Sequence, residues 1–259
     1  MAKNVYSGKT VWIIGASSGI GAALARELSD RGARIILSAR RENTLEEVLG
    51  TLCGEGHLVY PLDVRDVYAV QSIIADFQDK NIAVDSVIFM PALYGQHSSK
   101  GHDIDLIHQM IAVNLTGAFN LVHYLGPFFK KQGYGQIVLC ASIAGYRGLP
   151  MGQPYCATKA GLASYAESLK LDLKKDNIDV KLISPGFVRT PLTDKNDFPM
   201  PFMIEAEDAA KAIADGLNQK GFEIHFPKHM TILAKILRVM PGFCYFWVMG
   251  IILKKITDK

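Results

Sequence analysis

The sequence predicts an α/β fold, with one doubly wound domain around a parallel sheet and a hydrophobic helical extension at the C-terminus. Two observations predict it. Short apolar runs alternate with amphipathic helical patterns from residue 10 to residue 226, and a glycine-rich turn joins the first run to the first helix. At 259 residues the chain is long enough for one large domain with a sizeable core.

The elements follow one another in regular order. Apolar runs of strand length occupy residues 10–14, 33–39, 57–62, 84–89, 136–140, 178–183 and 222–226. Helical periodicity covers residues 22–30, 42–52, a stretch from about 66, 103–131, about 154–175 and 207–218. Within 103–131 we expect two successive helices, interrupted at 113–117, and a kink or break at Gly126-Pro127.

The composition points to a small-molecule partner. Lys and Arg number 28 against 25 Asp and Glu, and the net charge of +3 gives no reason to propose nucleic acid. The four cysteines and seven histidines show no metal-ligand spacing, so no metal site is expected. The N-terminus carries no apolar stretch of signal-peptide length, and we expect a cytoplasmic protein that is not secreted.

The turn after the first strand reads Gly-Ala-Ser-Ser-Gly-Ile-Gly over residues 15–21. Glycines let the backbone approach a pyrophosphate, and the helix that follows presents free amides and the positive end of its dipole. The turn therefore predicts a Rossmann-type nucleotide site; a glycine turn without a ligand is the alternative. The candidate cofactor contacts here are Gly15, Ser17, Ser18, Gly19, Ile20 and Gly21.

The end of the second strand bears on the choice of cofactor. Ala39 stands where an acidic residue would bind the ribose 2′-hydroxyl, and Arg40 and Arg41 follow it. An arginine can bind a 2′-phosphate through two parallel hydrogen bonds, so Arg40 predicts a preference for NADP(H) over NAD(H). The alternative is that both arginines lie on a solvated edge.

A group of reactive side chains follows the strand at 136–140. Tyr155 and Lys159 are four residues apart in a predicted helix and therefore lie on one face of it. An ammonium beside a phenol favours the phenolate and lowers the phenol's pKa from its ordinary value near ~10. Tyr155 then becomes a usable general acid or base. A surface helix that carries both residues by chance is the alternative.

These motifs resemble the classical short-chain dehydrogenase/reductase (SDR) family. The Tyr-x-x-x-Lys signature matches Tyr155 and Lys159, a serine 13 residues upstream matches Ser142, and the turn at 15–21 has the family's glycine spacing. The resemblance implies hydride transfer between a nicotinamide and a carbonyl or alcohol. Tyr155 would exchange the hydroxyl proton, Lys159 would lower its pKa, and Ser142 would hold the substrate oxygen. Asn114 would hold a water that links the lysine to bulk solvent; a polar residue tolerated at a helix junction is the alternative.

The resemblance also implies further cofactor contacts and an assembly. The adenine would lie at Asp63 and Val64, although Asp63 could instead cap the helix that starts near Asp66. The nicotinamide end would lie at a Pro-Gly loop that contributes Pro185, Gly186, Val188 and Thr190. Family members commonly form dimers or tetramers, and the apolar helix faces within 103–131 and after Pro154 favour a homodimer or homotetramer.

Two positions depart together from the family pattern. Ile14 replaces the threonine that normally precedes the glycine loop, and residues 89–92 read Phe-Met-Pro-Ala in place of Asn-Asn-Ala-Gly. In relatives, that threonine is thought to bond to the strand that carries the asparagine. Because both polar partners are replaced here, neither replacement leaves a buried polar group unpaired. Our hypothesis is that Ile14 and Phe89 replace that link by an apolar contact.

The remaining segments are unusually apolar. Residues 191–204 are long and rich in Pro, Met and Phe, which predicts a substrate lid, with a flexible loop as the alternative. After a catalytic domain at 1–228, residues 229–259 form an amphipathic segment, a Pro241-Gly242 break and an apolar run at 243–253 that is too short to cross a bilayer. This extension is a peripheral membrane anchor, a cover for a lipid-like substrate or a subunit interface.

Lid and extension together favour an apolar carbonyl or alcohol substrate. A nucleotide-binding regulator or scaffold on the same fold remains the alternative function, because a fold does not determine an activity. Its support is the altered segment at 89–92.

Overall fold

The computed structural model describes residues 5–95, 103–195 and 199–257. Within these residues, seven parallel strands form one sheet in the order β3-β2-β1-β4-β5-β6-β7. The strands are β1 Thr10–Ile14, β2 Arg34–Ser38, β3 Leu58–Val59, β4 Ser86–Phe89, β5 Gly135–Cys140, β6 Ile178–Pro185 and β7 Glu223–Phe226. The helices are α1 Gly19–Asp30, α2 Glu42–Leu49, α3 Val67–Asp79, α4 Ile104–Ile111, α5 Gly117–Gln132, α6 Tyr155–Asp172, α7 Ala206–Leu217, α8 Lys228–Val239 and α9 Gly242–Thr257.

Both faces of the sheet are buried, which explains why its strands read as continuous apolar runs. Successive residues of β1 alternate between two cores: Trp12 and Ile14 pack under α3, α5 and α6, whereas Val11 and Ile13 pack under α1 and α7. The chain order reverses between β1 and β4, which are neighbours in the sheet. The carboxyl ends of these strands therefore form the crevice in which doubly wound folds bind ligands.

The predicted elements are present, and three details differ. The third strand is only two residues long, because it forms the edge of the sheet and Pro61 has no amide to donate. No break occurs at Pro127, which lies inside the continuous helix α5. The cap of α3 is Asp66, whose Oδ1 accepts the amides of Tyr68 and Ala69, so Asp63 is not the cap.

The two departures from the family pattern meet in the sheet. Ile14 and Phe89 are register partners in the β1–β4 pair, and both side chains are fully buried in the same apolar cluster. This arrangement agrees with the hypothesis that an apolar contact replaces a polar link. It leaves the two strand ends joined by main-chain hydrogen bonds, such as that from Met90 N to Ile14 O at 2.9 Å.

The C-terminal extension folds as helices α8 and α9 and packs on the domain. Arg147 Nη1 donates to the main-chain oxygens of Leu237 (2.8 Å) and Met240 (2.6 Å) at the end of α8. The same guanidinium lies 3.8 Å from the ring centre of Tyr245 in α9, and the Tyr245 hydroxyl donates to Gly148 O. Among the described residues, no helix is long and apolar enough to cross a membrane.

The predicted lid is described only in part, since residues 196–198 lie outside the described ranges. Its ends are tied together by an isolated bridge between Val188 and Ile204. A short 3-10 turn covers Thr193–Lys195, and the exposed ring of Phe202 lies 6.1 Å from the ring of His229 in α8. The loop therefore borders the C-terminal extension, and its closure over a substrate stays a prediction.

Candidate active site

A cleft of about 560 Å³ opens at the carboxyl ends of β1, β2, β4, β5 and β6. Every residue that the sequence predicts as a cofactor contact lines it. Ser142, Tyr155 and Lys159 also line it, so the predicted nucleotide site and the predicted proton-transfer group share one cavity. Asn114 does not line it and lies fully buried behind its wall.

The glycine turn has a shape that side chains would obstruct. Gly15 has φ of +89°, and a Cβ there would lie 3.0 Å from the nitrogen of Pro91. A Cβ on Gly21 would lie only 2.1 Å from the carbonyl oxygen of Gly15, and one on Gly19 would meet Thr190 at 3.0 Å. The backbone is thus open to close approach by a ligand, which is the property a pyrophosphate site requires.

Helix α1 begins inside this turn with its first amides available. Its N-cap residue, Ser18, makes no side-chain capping bond, and the first turn contains no acidic residue. The first hydrogen bond of the helix in which an amide donates to the carbonyl four residues earlier runs from Ala22 N to Ser18 O. The amides before Ala22 therefore have no intrahelical acceptor. These amides and the helix dipole favour an anion at this end of the cleft. The residues present therefore fit a nicotinamide dinucleotide.

The adenine end of the cleft is rich in arginine. Arg40, Arg41 and Arg65 line it together with Asp63 and Val64. Arg65 is engaged by Asp63 through a 2.6 Å bond from Nη2 to Oδ2, and this bond, aided by the charge of Arg40, holds the pKa of Asp63 below its ordinary value. Arg40 is therefore better placed than Arg65 to receive a phosphate.

The reactive group lies where β5 and the start of α6 meet. Tyr155 is the first residue of α6, and Lys159 follows it one turn later. Lys159 Nζ donates to the main-chain oxygen of Cys140 at 2.8 Å and lies 5.7 Å from the centre of the Tyr155 ring. Ser142 follows the same strand and hydrogen-bonds with Tyr155.

Burial dominates the electrostatics of this group. Burial raises the pKa of Tyr155 above its ordinary 10, and the hydrogen bond with Ser142 offsets only part of this effect. Burial also lowers the pKa of Lys159. The net shift of the Tyr155 pKa is upward, and the expectation that Lys159 lowers this pKa stays a prediction.

Asn114 lies in a π-helical turn, Ala112–Thr116, between α4 and α5. Its Oδ1 accepts from Leu93 N at 2.7 Å, and its Nδ2 donates to Leu93 O at 2.9 Å and to Thr158 Oγ1 at 3.2 Å. The side chain thus fixes the segment after β4 against the helix that carries Lys159. The interruption predicted at 113–117 is the feature that brings this amide inward.

The predicted nicotinamide end lies beside Ser142. Ser142 Oγ is 3.5 Å from Pro185 O, and Gly186 N donates to Phe226 O at 2.7 Å. A Cβ on Gly186 would meet Met230 Sδ at 2.8 Å, so this loop packs directly on α8. Thr190 lies next to the glycine turn, since a Cβ on Gly19 would meet its methyl carbon at 3.0 Å.

Sequence reasoning missed one residue that lines the cleft and one that packs on the reactive group. Arg65 joins the arginines at the adenine end, and Tyr94 packs its ring edge-on against Tyr155, with ring centres 5.2 Å apart. Both follow the carboxyl ends of predicted strands, a position that is itself a signal for ligand contact in doubly wound folds.

The fold and the cleft together define a nicotinamide-dependent oxidoreductase of Rossmann type. A family model described as short chain dehydrogenase matches residues 9–199. The chain belongs to the short-chain dehydrogenase/reductase family, in its classical form, and is an NAD(P)-dependent dehydrogenase/reductase.

Individual relatives agree with this membership. An uncharacterized oxidoreductase of Myxococcus xanthus is 32% identical over 244 residues, which are 93% of this chain and 96% of the relative. A short chain dehydrogenase from Burkholderia cenocepacia, solved in complex with NADP, has a TM-score of 0.79 at 22% identity and covers 90% of this chain and 94% of its own. A 3-ketoacyl-(acyl-carrier-protein) reductase from Brucella melitensis, complexed with NADH, has a TM-score of 0.76 at 23% identity and covers 85% and 98%. At such identities the structural likeness shows the shared fold.

Proposed function

We propose that this protein is an NADP(H)-dependent oxidoreductase that interconverts an apolar carbonyl compound and its alcohol. The observation that carries the proposal is the meeting of Ser142, Tyr155 and Lys159 with the glycine turn in one cleft. The cofactor, when bound, supplies or accepts the hydride. The protein supplies binding, orientation and the proton.

In the direction of reduction, Tyr155 donates its phenolic proton to the substrate oxygen. The raised pKa of Tyr155 keeps that proton in place at neutral pH, and the hydrogen bond with Ser142 orients the hydroxyl. Lys159 lies close enough to stabilise the negative charge that remains on the phenol oxygen after donation. Asn114 acts as a positioning residue for this group and, as the family resemblance implies, for the proton path to solvent.

The first test follows the oxidation of NADPH with a panel of short-chain and long-chain aldehydes and ketones. We expect turnover that rises with chain length and is abolished in Tyr155→Phe, which keeps the ring but removes the proton donor. Cofactor binding should be largely retained in this variant. Substantial residual turnover in Tyr155→Phe contradicts the assignment, and NADPH binding without turnover of any substrate favours a nucleotide-binding regulator.

The preference for NADP(H) rests on Arg40. Ala39, which lines the cleft next to it, offers no carboxylate to bind a ribose 2′-hydroxyl or to repel a 2′-phosphate. Arg40→Ala should weaken NADPH binding at least ~10-fold and leave NADH binding nearly unchanged, because one charge-assisted contact with the 2′-phosphate is lost. Arg34→Ala, on a cation outside the cleft lining, is the matched control. An unchanged NADPH to NADH affinity ratio in Arg40→Ala refutes the preference.

The preference for an apolar substrate is supported by the part of the cleft wall that lies outside the predicted cofactor contacts. Leu93, Val113, Pro191 and Leu192 contribute to the lining, and Gln109 adds one polar group. Such a wall favours a substrate whose body is hydrocarbon and whose polar atom is the reacting oxygen.

We further propose a catalytic domain at 1–228 and an extension at 229–259 that contacts a membrane surface peripherally in a cytoplasmic enzyme. None of the described residues of the extension lines the cleft. For the assembly we propose a homodimer or homotetramer paired through α5 and α6, whose exposed apolar residues include Phe119 and Leu171. Light scattering of the purified protein tests the assembly; a monomer at micromolar concentration contradicts it.

A further inference from the structure

Helix α8 is oriented in the reverse of the usual way for a surface helix. Two of its polar side chains face the domain: Thr231 is fully buried and bonds with His225 at 2.6 Å, and Lys235 pairs with Glu223 at 2.7 Å. Its apolar face is directed outward. A helix that covers a soluble domain places its apolar stripe against the core, so the outer face of α8 is suited to surroundings other than water.

Helix α9 also exposes apolar side chains on the side away from the domain. Tyr245 and Met249, four residues apart, are buried against the domain. The opposite side exposes Phe243 (78%), Phe246 (72%) and Trp247 (70%). We call the exposed apolar residues on the outer sides of these two helices the outer apolar face: Ile232, Leu233, Ile236, Val239, Phe243, Phe246, Trp247 and Ile251.

Charge selects among the possible occupants of the outer apolar face. Residues 228–257 contain five Lys or Arg and no Asp or Glu, although the whole chain carries only +3. The remainder of the chain is therefore net acidic, and the excess basic charge lies on the two apolar helices, although Lys235 is paired with Glu223 of the domain. Apolar and aromatic residues bordered by cations are the pattern of an element that lies in the interface of an anionic bilayer.

Two other occupants fit less well. A second copy of this chain, paired face to face about a two-fold axis, would bring two basic segments together. A substrate covered by these helices would need their side chains in the cleft, and none of the described residues of α8 and α9 lines it.

We propose that the outer apolar face is a preformed docking surface for an anionic lipid bilayer, with Phe243, Phe246 and Trp247 inserted among the lipids. The proposal rests on the peripheral contact stated above and specifies its lipid chemistry and its residues. The surface is held in shape by Arg147, which bonds to the end of α8 and packs on Tyr245 of α9. Phe202 lies beside His229 of α8, with ring centres 6.1 Å apart.

The test uses the full-length protein and vesicles of phosphatidylcholine with or without phosphatidylglycerol. Flotation measures binding, and tryptophan emission reports insertion, because Trp247 is exposed whereas Trp12, the other tryptophan, is fully buried. We expect binding to the anionic vesicles, weakened by salt, with a blue shift of the emission. The variant Phe243→Ser/Phe246→Ser/Trp247→Ser should lower the partition coefficient at least ~10-fold, since three inserted rings are lost.

A matched control is Tyr68→Ser/Ile104→Ser, which removes two exposed apolar side chains elsewhere, and it should bind vesicles as the wild type does. Equal binding of the triple variant and the wild type, or no binding to either vesicle, overturns the proposal. So does self-association of the wild type that is lost in the triple variant without any vesicle binding, which identifies a second copy as the occupant. If the triple variant still turns over a short, water-soluble carbonyl compound, a loss of vesicle binding is distinguished from a loss of the proposed activity.

Discussion

The contact between Arg147 and the C-terminal helices is a localised interaction whose loss can be measured. Arg147 Nη1 bonds to the oxygens of Leu237 and Met240, and its guanidinium stacks at 3.8 Å on the ring of Tyr245. Hydrogen bonds from a charged donor contribute about 1.5–3 kcal/mol each, and a cation–π contact contributes about 0.5–1 kcal/mol. Since Arg147 is only half-buried, we expect Arg147→Ala to destabilise the docked helices by about 2–4 kcal/mol, after a discount for solvent screening.

Such a loss raises the local opening constant of α8 and α9 by about 30-fold to about 900-fold. Hydrogen exchange of α8 and α9 peptides measures it, with α3 as an internal reference in the same molecule. Arg147→Lys keeps the charge but loses the planar fork that reaches two carbonyls, so its effect should lie between wild type and Arg147→Ala. Unchanged exchange in α8 and α9, or equal acceleration in α3, refutes this account of how the helices are held.

Two further predictions concern the cleft and its support. Gly21→Ala places a Cβ 2.1 Å from the oxygen of Gly15, so we expect a loss of about 1–3 kcal/mol in unfolding free energy and weaker NADPH binding in titrations. Gly250→Ala is the control, because a Cβ there meets nothing within 4 Å. It should lower neither the unfolding free energy nor the affinity for NADPH. Burial alone would raise the pKa of Glu223, but hydrogen bonds, the strongest from Lys235, hold it below its ordinary 4.5. A carboxyl whose pKa is lowered in the folded state stabilises the fold above pH ~4.5, and this contribution is lost as the pH falls through the folded-state pKa. The difference in unfolding free energy between wild type and Glu223→Gln should therefore shrink on acidification. A difference that stays constant with pH in urea denaturation contradicts this.

Local spacing explains why so much of the fold and site was predictable. The glycine turn at 15–21 and the pair Tyr155 and Lys159 depend on short-range periodicity, which a sequence displays directly. The apolar pairing of Ile14 with Phe89 was predictable because two departures from one pattern occurred together. In each case the residues that act together are close in sequence or belong to one known motif.

The features that could not be predicted depend on residues that come together only in the folded structure. The pKa of Tyr155 is raised by burial, and burial is a property of the assembled cleft. The periodicity of α8 revealed an apolar face but not its direction, which is decided by the partners of Thr231 and Lys235 in the domain. Arg147 gave no signal at all, because its acceptors lie about ninety residues further along the chain.

The C-terminal helices are joined to the cleft through Glu223. Its Oε1 accepts from Tyr146, four residues after Ser142, at 2.5 Å and from Ser184 at 2.6 Å, while its Oε2 pairs with Lys235 of α8 at 2.7 Å. One carboxylate thus connects the segment that carries the predicted substrate contact, the strand that leads into the Pro-Gly loop, and the extension. Removing residues 229–259 would leave this carboxylate without its cation as well as removing the outer apolar face. Substitutions on the outer face therefore isolate membrane binding from catalysis, whereas a truncation disturbs both.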